Sequence, residues 1–261
     1  MKFEKWQACG NDFALTRDPV KLNSEDEERH DEKFIRQLCD VHYGIGADGI
    51  IHILPSEVAD AKMRIFNKDG SEANMCGNGI RCVGRYLVDE LGKKELTVET
   101  LDGVKKIWLD GEYITVNMGM PKVTYNGEIE LPAIKYKAAF VNTGNQHCVL
   151  FLNEEPAEGE VERNGYVIEN MRDVFPDRTN VEFMTIESRT LLRVRVWERG
   201  CGRTLACGTG AVASAYAAWQ NERAEAKVTV KLDGGDIYLK ILPDGQVEMS
   251  GGALRVYKGE L

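Results

Sequence analysis

Apolar and polar residues alternate from Lys62 to Phe66 and again from Leu192 to Trp197, with β-branched and aromatic side chains among them. Both stretches read as strands. A longer period follows each. Ile80, Val83, Leu87 and Leu91 stand three and four residues apart and predict a helix ending near Leu91. An Ala-rich segment from Ala211 to about Trp219 predicts a second helix. Each predicted helix opens at a Cys-Gly-x-Gly turn, Cys76–Gly79 in one case and Cys207–Gly210 in the other. Each is followed by a meander of short strands. Its turns fall at Asp102-Gly103 and Asp110-Gly111 first, then at Asp233-Gly234 and Asp244-Gly245.

The two patterns are one pattern repeated at an offset of about 131 residues. Arg64-Ile65-Phe66-Asn67 matches Arg195-Val196-Trp197-Glu198, and Cys76-Gly77-Asn78-Gly79 matches Cys207-Gly208-Thr209-Gly210. Val116-x-Met118 matches Val247-x-Met249 at the same offset, and Gly10-Asn11 matches Gly144-Asn145 after a short drift. The expected fold is therefore mixed α+β, with two pseudo-symmetric lobes, each a β-sheet or barrel wrapped around a central helix. Met118-Gly119-Met120-Pro121 marks the expected boundary. It gives an N-terminal lobe over 1–118 carrying Cys76 and a C-terminal lobe over 119–252 carrying Cys207. The tail, 253–261, is left able to return to the first lobe.

Composition narrows the class. The chain has 261 residues, 43% hydrophobic and 29% charged, with a formal net charge of −9, ordinary figures for a globular protein able to build its own core. No basic cluster with interleaved aromatics occurs, which argues against nucleic acid. Met1 to Trp6 lacks the apolar run of a signal peptide. The weakly polar run Leu205 to Trp219 is short of the roughly 20 residues of a membrane span. A cytoplasmic protein without membrane contact is expected. Seven cysteines, an odd number, argue against a disulfide framework. With no Cys-x-x-Cys pair and four scattered histidines, no metal is expected.

The repeated cysteines carry the candidate chemistry. A helix N-terminus offers N–H groups without intrahelical partners and a partial positive charge. That environment lowers a thiol pKa and holds carboxylates. Two such turns facing one substrate would place a carbon next to its carboxylate between two sulfurs. One thiolate could remove the α-proton while the opposite thiol delivers a proton to the other face, inverting the centre without a cofactor. A lone cysteine is more often a small buried hydrophobe, the reading given to Cys9, Cys39, Cys82, Cys148 and Cys201. Asn11, Asn67, Asn145 and Glu198 also lie at strand ends or glycine turns. With Arg199 they could line a pocket for a second amino-acid group, Arg for carboxylate and Glu for ammonium.

At this point the sequence resembles a known family. Gly10-Asn11-Asp12-Phe13, Gly44-Ile45-Gly46-Ala47-Asp48-Gly49, Phe66-Asn67-x-Asp69-Gly70-Ser71-Glu72, Cys76-Gly77-Asn78-Gly79-x-Arg81-Cys82, Gly144-Asn145-x-His147-Cys148, Glu198-Arg199-Gly200 and Ala206–Ala211 occur in order and are similar to the motifs of diaminopimelate epimerases. The resemblance implies interconversion of LL- and meso-2,6-diaminopimelate, for lysine and peptidoglycan-precursor synthesis, by a homodimer without pyridoxal phosphate or metal. It implies that Cys76 and Cys207 are the acid–base pair and that His147 and Glu198 support them. Gly77, Asn78, Gly208 and Thr209 become the cradle for the reacting carboxylate. Asn11, Asn67, Asn145, Asn180, Glu198 and Arg199 become the holders of the distal end. Two positions depart from the pattern: Gln146 stands where many members have Pro, and Gly49 where some carry a substrate-binding Gln.

Other readings remain open on the residues themselves. A related racemase of another amino acid would keep the cysteines and change the distal pocket. An isomerase of the phenazine-biosynthesis type would lack the cysteine pair. A non-catalytic thiol protein, redox-sensing or ligand-binding, would keep the cysteines, which could form a reversible disulfide, and would turn over no amino acid. Two segments have no assigned role: the charge run Ser24 to Glu32, read as a solvated face or helix start, and Asn153 to Glu162, read as an exposed acidic loop.

Overall fold

The computed structural model describes residues 1–20 and 31–261, so the part of the Ser24-to-Glu32 charge run before Asp31 lies outside the described residues. Contacts divide the chain into two compact units, Met1–Val116 with Gly251–Leu261, and Asn117–Ser250.

The first unit runs β1 (Lys2–Ala8), β2 (Asn11–Thr16), α1 (Glu32–Cys39), β3 (Gly49–Leu54), β4 (Ala61–Asn67), β5 (Glu72–Ala73), α2 (Gly77–Leu91), β6 (Glu95–Thr100), β7 (Gly103–Asp110) and β8 (Tyr113–Asn117). The second runs β9 (Lys122–Leu131), β10 (Ile134–Asn142), β11 (Gln146–Leu152), α3 (Glu160–Glu169), β12 (Asn180–Ser188), β13 (Leu191–Glu198), β14 (Gly202–Thr204), α4 (Gly208–Gln220), β15 (Lys227–Leu232), β16 (Gly235–Ile241) and β17 (Val247–Gly251). The chain ends on β18 (Leu254–Glu260), which pairs antiparallel with β1 in the first unit.

The two ladders have the same internal order. In the first unit β1 and β2 are antiparallel, β2 and β3 parallel, β3 and β4 antiparallel, β4 and β6 parallel, and β6, β7 and β8 antiparallel. In the second, β10 to β13, then β15 to β17, repeat that sequence of directions. Each ladder has one more strand on its first member. In the second unit it is β9, just upstream of β10. In the first it is β18, from the far end of the sequence.

A buried helix fills each sheet. α2 packs against β1, β2, β4, β6, β7 and β18, and α4 against β10, β11, β12, β13, β15 and β16. From Gly208 to Ala218 every residue of α4 is buried. A helix apolar on all sides has to be enclosed, and its small Ala side chains let the strands approach. The meander turns fall within one residue of the Asp-Gly pairs that predict them, with β7 opening at Gly103 and β15 and β16 joined through Asp233-Gly234. The acidic segment from Asn153 is a loop only as far as Gly159; Glu160–Glu162 form the first turn of α3, where acidic side chains favour the helix dipole. Among the described residues no helix is long and apolar enough to cross a membrane.

Candidate active site

In the first unit Cys76 is the N-cap of α2. Its backbone is extended (φ −135°, ψ 123°) and its Sγ accepts the Gly79 N–H at 3.4 Å. The S–H points towards Asn11 Oδ1, 3.9 Å away. Asn11 begins β2 directly after a two-residue hairpin turn, Cys9-Gly10, in which both residues have positive φ (52° and 76°). Such turns match the twist of their strands, and glycine enters that region without strain. Asn78, the second residue of α2, donates to Asn11 Oδ1 at 3.3 Å, and Asn11 donates to Asp48 Oδ2 at 2.8 Å. Arg81, one turn further along α2 and fully buried, donates to Asn78 Oδ1, to the Gly77 carbonyl and to Cys9 Sγ.

Asn67, at the end of β4, stands outside this network. Its side chain donates to Ser71 Oγ and its N–H to the Ser71 carbonyl. The link between them is Asp48, whose carbonyl accepts the Lys68 N–H. Gly49 pairs with Asn67 in the β3–β4 ladder, and a Cβ there would lie 2.6 Å from the Phe66 carbonyl oxygen. The backbone has closed over the position where some resembling proteins carry Gln.

In the second unit Cys207 is the N-cap of α4, extended (φ −125°, ψ 114°), with Sγ accepting the Gly210 N–H at 3.4 Å and lying 3.4 Å from Thr209 Oγ1. The Glu198 carboxylate accepts from the Cys207 thiol, and from Thr204 Oγ1 at 2.5 Å. A position at a helix N-terminus is expected to lower the thiol pKa. At Cys207 the structure corrects it. Burial pushes the thiol well above its ordinary value, and the Glu198 and Glu182 carboxylates push the same way; Thr209 and the Gly210 N–H pull down and are outweighed. Cys207 therefore rests as a thiol. Burial likewise raises Glu198, against the hydrogen bonds from Thr204 and Cys207.

Asn145 follows Gly144 (φ 101°), as Asn11 follows Gly10. Its Oδ1 faces Thr143 Oγ1 at 3.1 Å and His147 Nε2 at 2.9 Å. With Gln146 in place of Pro, the turn is held by other groups: Asn142 Oδ1 takes the Gly144 N–H and Asn180 Nδ2 donates to the Gln146 carbonyl at 2.9 Å. Asn180 Oδ1 accepts the Arg199 N–H at 3.0 Å, so one amide ties β11 to the end of β13. The exposed Arg199 guanidinium donates to the Asp177 carbonyl. The loop after Glu198 is fixed from beneath by buried Glu169, which accepts from Gly200 N, Trp197 Nε1 and Arg178 Nη1.

The predicted residues thus gather into two networks, one per unit: Asn11, Cys76, Gly77 and Asn78 in the first, and Asn145, His147, Asn180, Glu198, Arg199, Cys207 and Thr209 in the second. Glu182, Glu169, Thr204 and Arg81 also belong to these networks and escape sequence reasoning. Glu182 leaves a signal, a carboxylate inside the otherwise apolar strand run Val181–Met184. The other three look like surface polar residues until their partners are known.

The family model for diaminopimelate epimerase matches residues 3–124 and 139–256. The diaminopimelate epimerase of Desulfitobacterium hafniense is 41% identical over 285 aligned positions, covering 100% of this chain and 98% of its own length. That of Phocaeicola vulgatus is 42% identical over 282, with coverage of 100% and 98%. Among solved structures, a phenazine biosynthesis protein of the PhzF family from Bacillus anthracis superposes with a TM-score of 0.74 at 18% identity, covering 100% of this chain and 98% of its own. A hydroxyproline epimerase from Agrobacterium vitis, holding trans-4-hydroxy-L-proline, gives 0.74 at 15% identity, with coverage of 100% and 90%. These two share the fold. The sequence relatives and the family model decide the rest: the chain belongs to the diaminopimelate epimerase family.

Proposed function

We propose that this protein is a cofactor-independent isomerase that interconverts LL- and meso-2,6-diaminopimelate through Cys76 and Cys207. The observation that carries the reading is that cysteines at equivalent repeat positions each cap the buried helix of their own unit. Family membership supplies the substrate.

In the proposed reaction the thiolate of one cysteine takes the α-proton and the thiol of the other delivers its proton to the opposite face. The carbanion is protonated, the sulfurs exchange charge, and no atom is gained or lost. Cys207 enters as the proton donor, supported by its raised pKa and by the Glu198 carboxylate on its S–H. Cys76 enters as the base, supported by the Gly79 N–H on its sulfur. The first backbone N–H groups of α2 and α4, at Gly77, Asn78, Gly208 and Thr209, take the substrate carboxylate and the charge that develops beside it. Asn11, Asn67, Asn145, Asn180, Glu198 and Arg199 hold the distal amino-acid group. His147 supports Cys207 through the network around Glu198.

The same reading includes a homodimer in the cytoplasm. The exposed apolar row Leu254, Val256 and Tyr257 on β18 supports a second copy as partner.

Single substitutions test the scheme. Cys76→Ala and Cys207→Ala should each abolish epimerisation, and each Ser variant should retain a trace at most, because a hydroxyl is a far weaker base. Near-normal turnover by either Ala variant contradicts the two-cysteine reaction.

A further inference from the structure

Glu182 has no part in the reaction described above, yet it is fully buried on β12, two residues beyond Asn180 and on the same face. Its Oε1 lies 2.7 Å from Nδ1 of His147, which is also fully buried. The other ring nitrogen, Nε2, lies 2.9 Å from Asn145 Oδ1. An amide oxygen and a carboxylate are both acceptors. The two groups hold the ring in one orientation, with Glu182 on the Nδ1 side and Asn145 on the Nε2 side. Glu182 Oε2 has no hydrogen-bond partner among the described residues. A Cβ on Gly210 would stand 2.6 Å from Oε1, so the carboxylate is pressed against the first turn of α4. Gly210 is the residue whose N–H caps Cys207.

We propose that Glu182 is a positioning residue for Cys207: it fixes the orientation of His147 and places buried negative charge at the N-terminus of α4, which keeps Cys207 a proton donor. The groups that act on this carboxylate, or that it acts on, are His147 and Cys148 from β11, Glu198 at the end of β13, and Cys207. A carboxylate this deeply buried needs a partner, and the Nδ1 side of His147 supplies it. Its charge raises the thiols of Cys207 and Cys148 and the carboxyl of Glu198. A residue that merely filled space would leave those titrations alone.

The inference rests on Cys207 acting as an acid–base group, but its test needs no turnover. Glu182→Gln keeps the shape and removes the charge. With cysteine labelled at 13Cβ and histidine at 15N, the variant should titrate Cys207 about one pH unit or more lower, Cys76 essentially unmoved, with changed His147 ring shifts. Its kcat should fall about tenfold or more with KM within about twofold. A folded variant with an unmoved Cys207 midpoint overturns the proposal. An inactive protein with the expected titrations would count against the proposed reaction instead.

Discussion

Thr204 donates its hydroxyl to Glu198 at 2.5 Å, and that carboxylate is the one that accepts the Cys207 thiol. The pair sits where β14 folds back on β13, so a three-residue strand has a chemical reason to exist. Thr204→Val removes a donor that lowers the Glu198 pKa, so the carboxyl should stay protonated to higher pH. Losing a hydrogen bond to a charged group costs about 1.5–3 kcal/mol. We expect kcat/KM to fall about tenfold at neutral pH and to recover partly as pH rises and Glu198 ionises. An unchanged pH–rate profile contradicts the assignment.

The two cysteines should differ in reactivity. Cys207 is 6% exposed and held as a thiol, whereas Cys76 is only partly buried. Iodoacetamide should modify Cys76 first at neutral pH. Because the Cys207 pKa is raised, its thiolate fraction is small there and grows about tenfold per pH unit below that pKa. Mass-spectrometric mapping of labelling against pH tests both statements. Faster labelling of Cys207 at neutral pH contradicts them.

Glycines at equivalent helix positions should differ in what they tolerate. A Cβ at Gly79 meets the Cδ1 atoms of Ile51 and Ile65 at 3.0 and 3.1 Å, ends of aliphatic chains that can turn. At Gly210 it meets Glu182, locked to His147, at 2.6 Å. Gly210→Ala should cost about 1–3 kcal/mol by overpacking, against the usual gain of Ala in a helix. Denaturant midpoints compare the two, and Gly79→Ala should be the milder.

Removing residues 253–261 takes β18 off β1 and exposes the backbone edge of β1. Amide exchange should quicken along β1 and β2 while α4 and β12 keep their protection. Equal loss in both units contradicts the division of the chain by contacts.

Much of this was readable in the sequence because two periods recur in fixed order. The alternation at Lys62–Phe66 and Leu192–Trp197 and the helices behind the Cys-Gly-x-Gly turns correspond to β4, β13, α2 and α4. Elements without an apolar stripe of that kind were not legible. α3 opens on Glu160, Val161, Glu162 and Arg163, which read as an acidic loop until Val161 and Ile168 are seen buried against β12 and β13. Local chemistry was legible where it repeats and hidden where it depends on long-range partners. The helix-end rule anticipates a lowered thiol pKa at Cys207. It fails first because the thiol is buried, and then because Glu198 and Glu182 approach from β13 and β12, distant in sequence from α4. The same holds for Glu169, whose three donors come from Trp197, Gly200 and Arg178.

The most direct test of the central claim uses reduced protein, no added cofactor, and LL-diaminopimelate in D2O. Proton NMR follows the α-position and chiral chromatography the stereoisomers. Meso product with deuterium at the inverted α-carbon is expected, with both signals lost in Cys76→Ala and Cys207→Ala. Absence of exchange and of meso product, with both cysteines shown to be reduced, would contradict the claim.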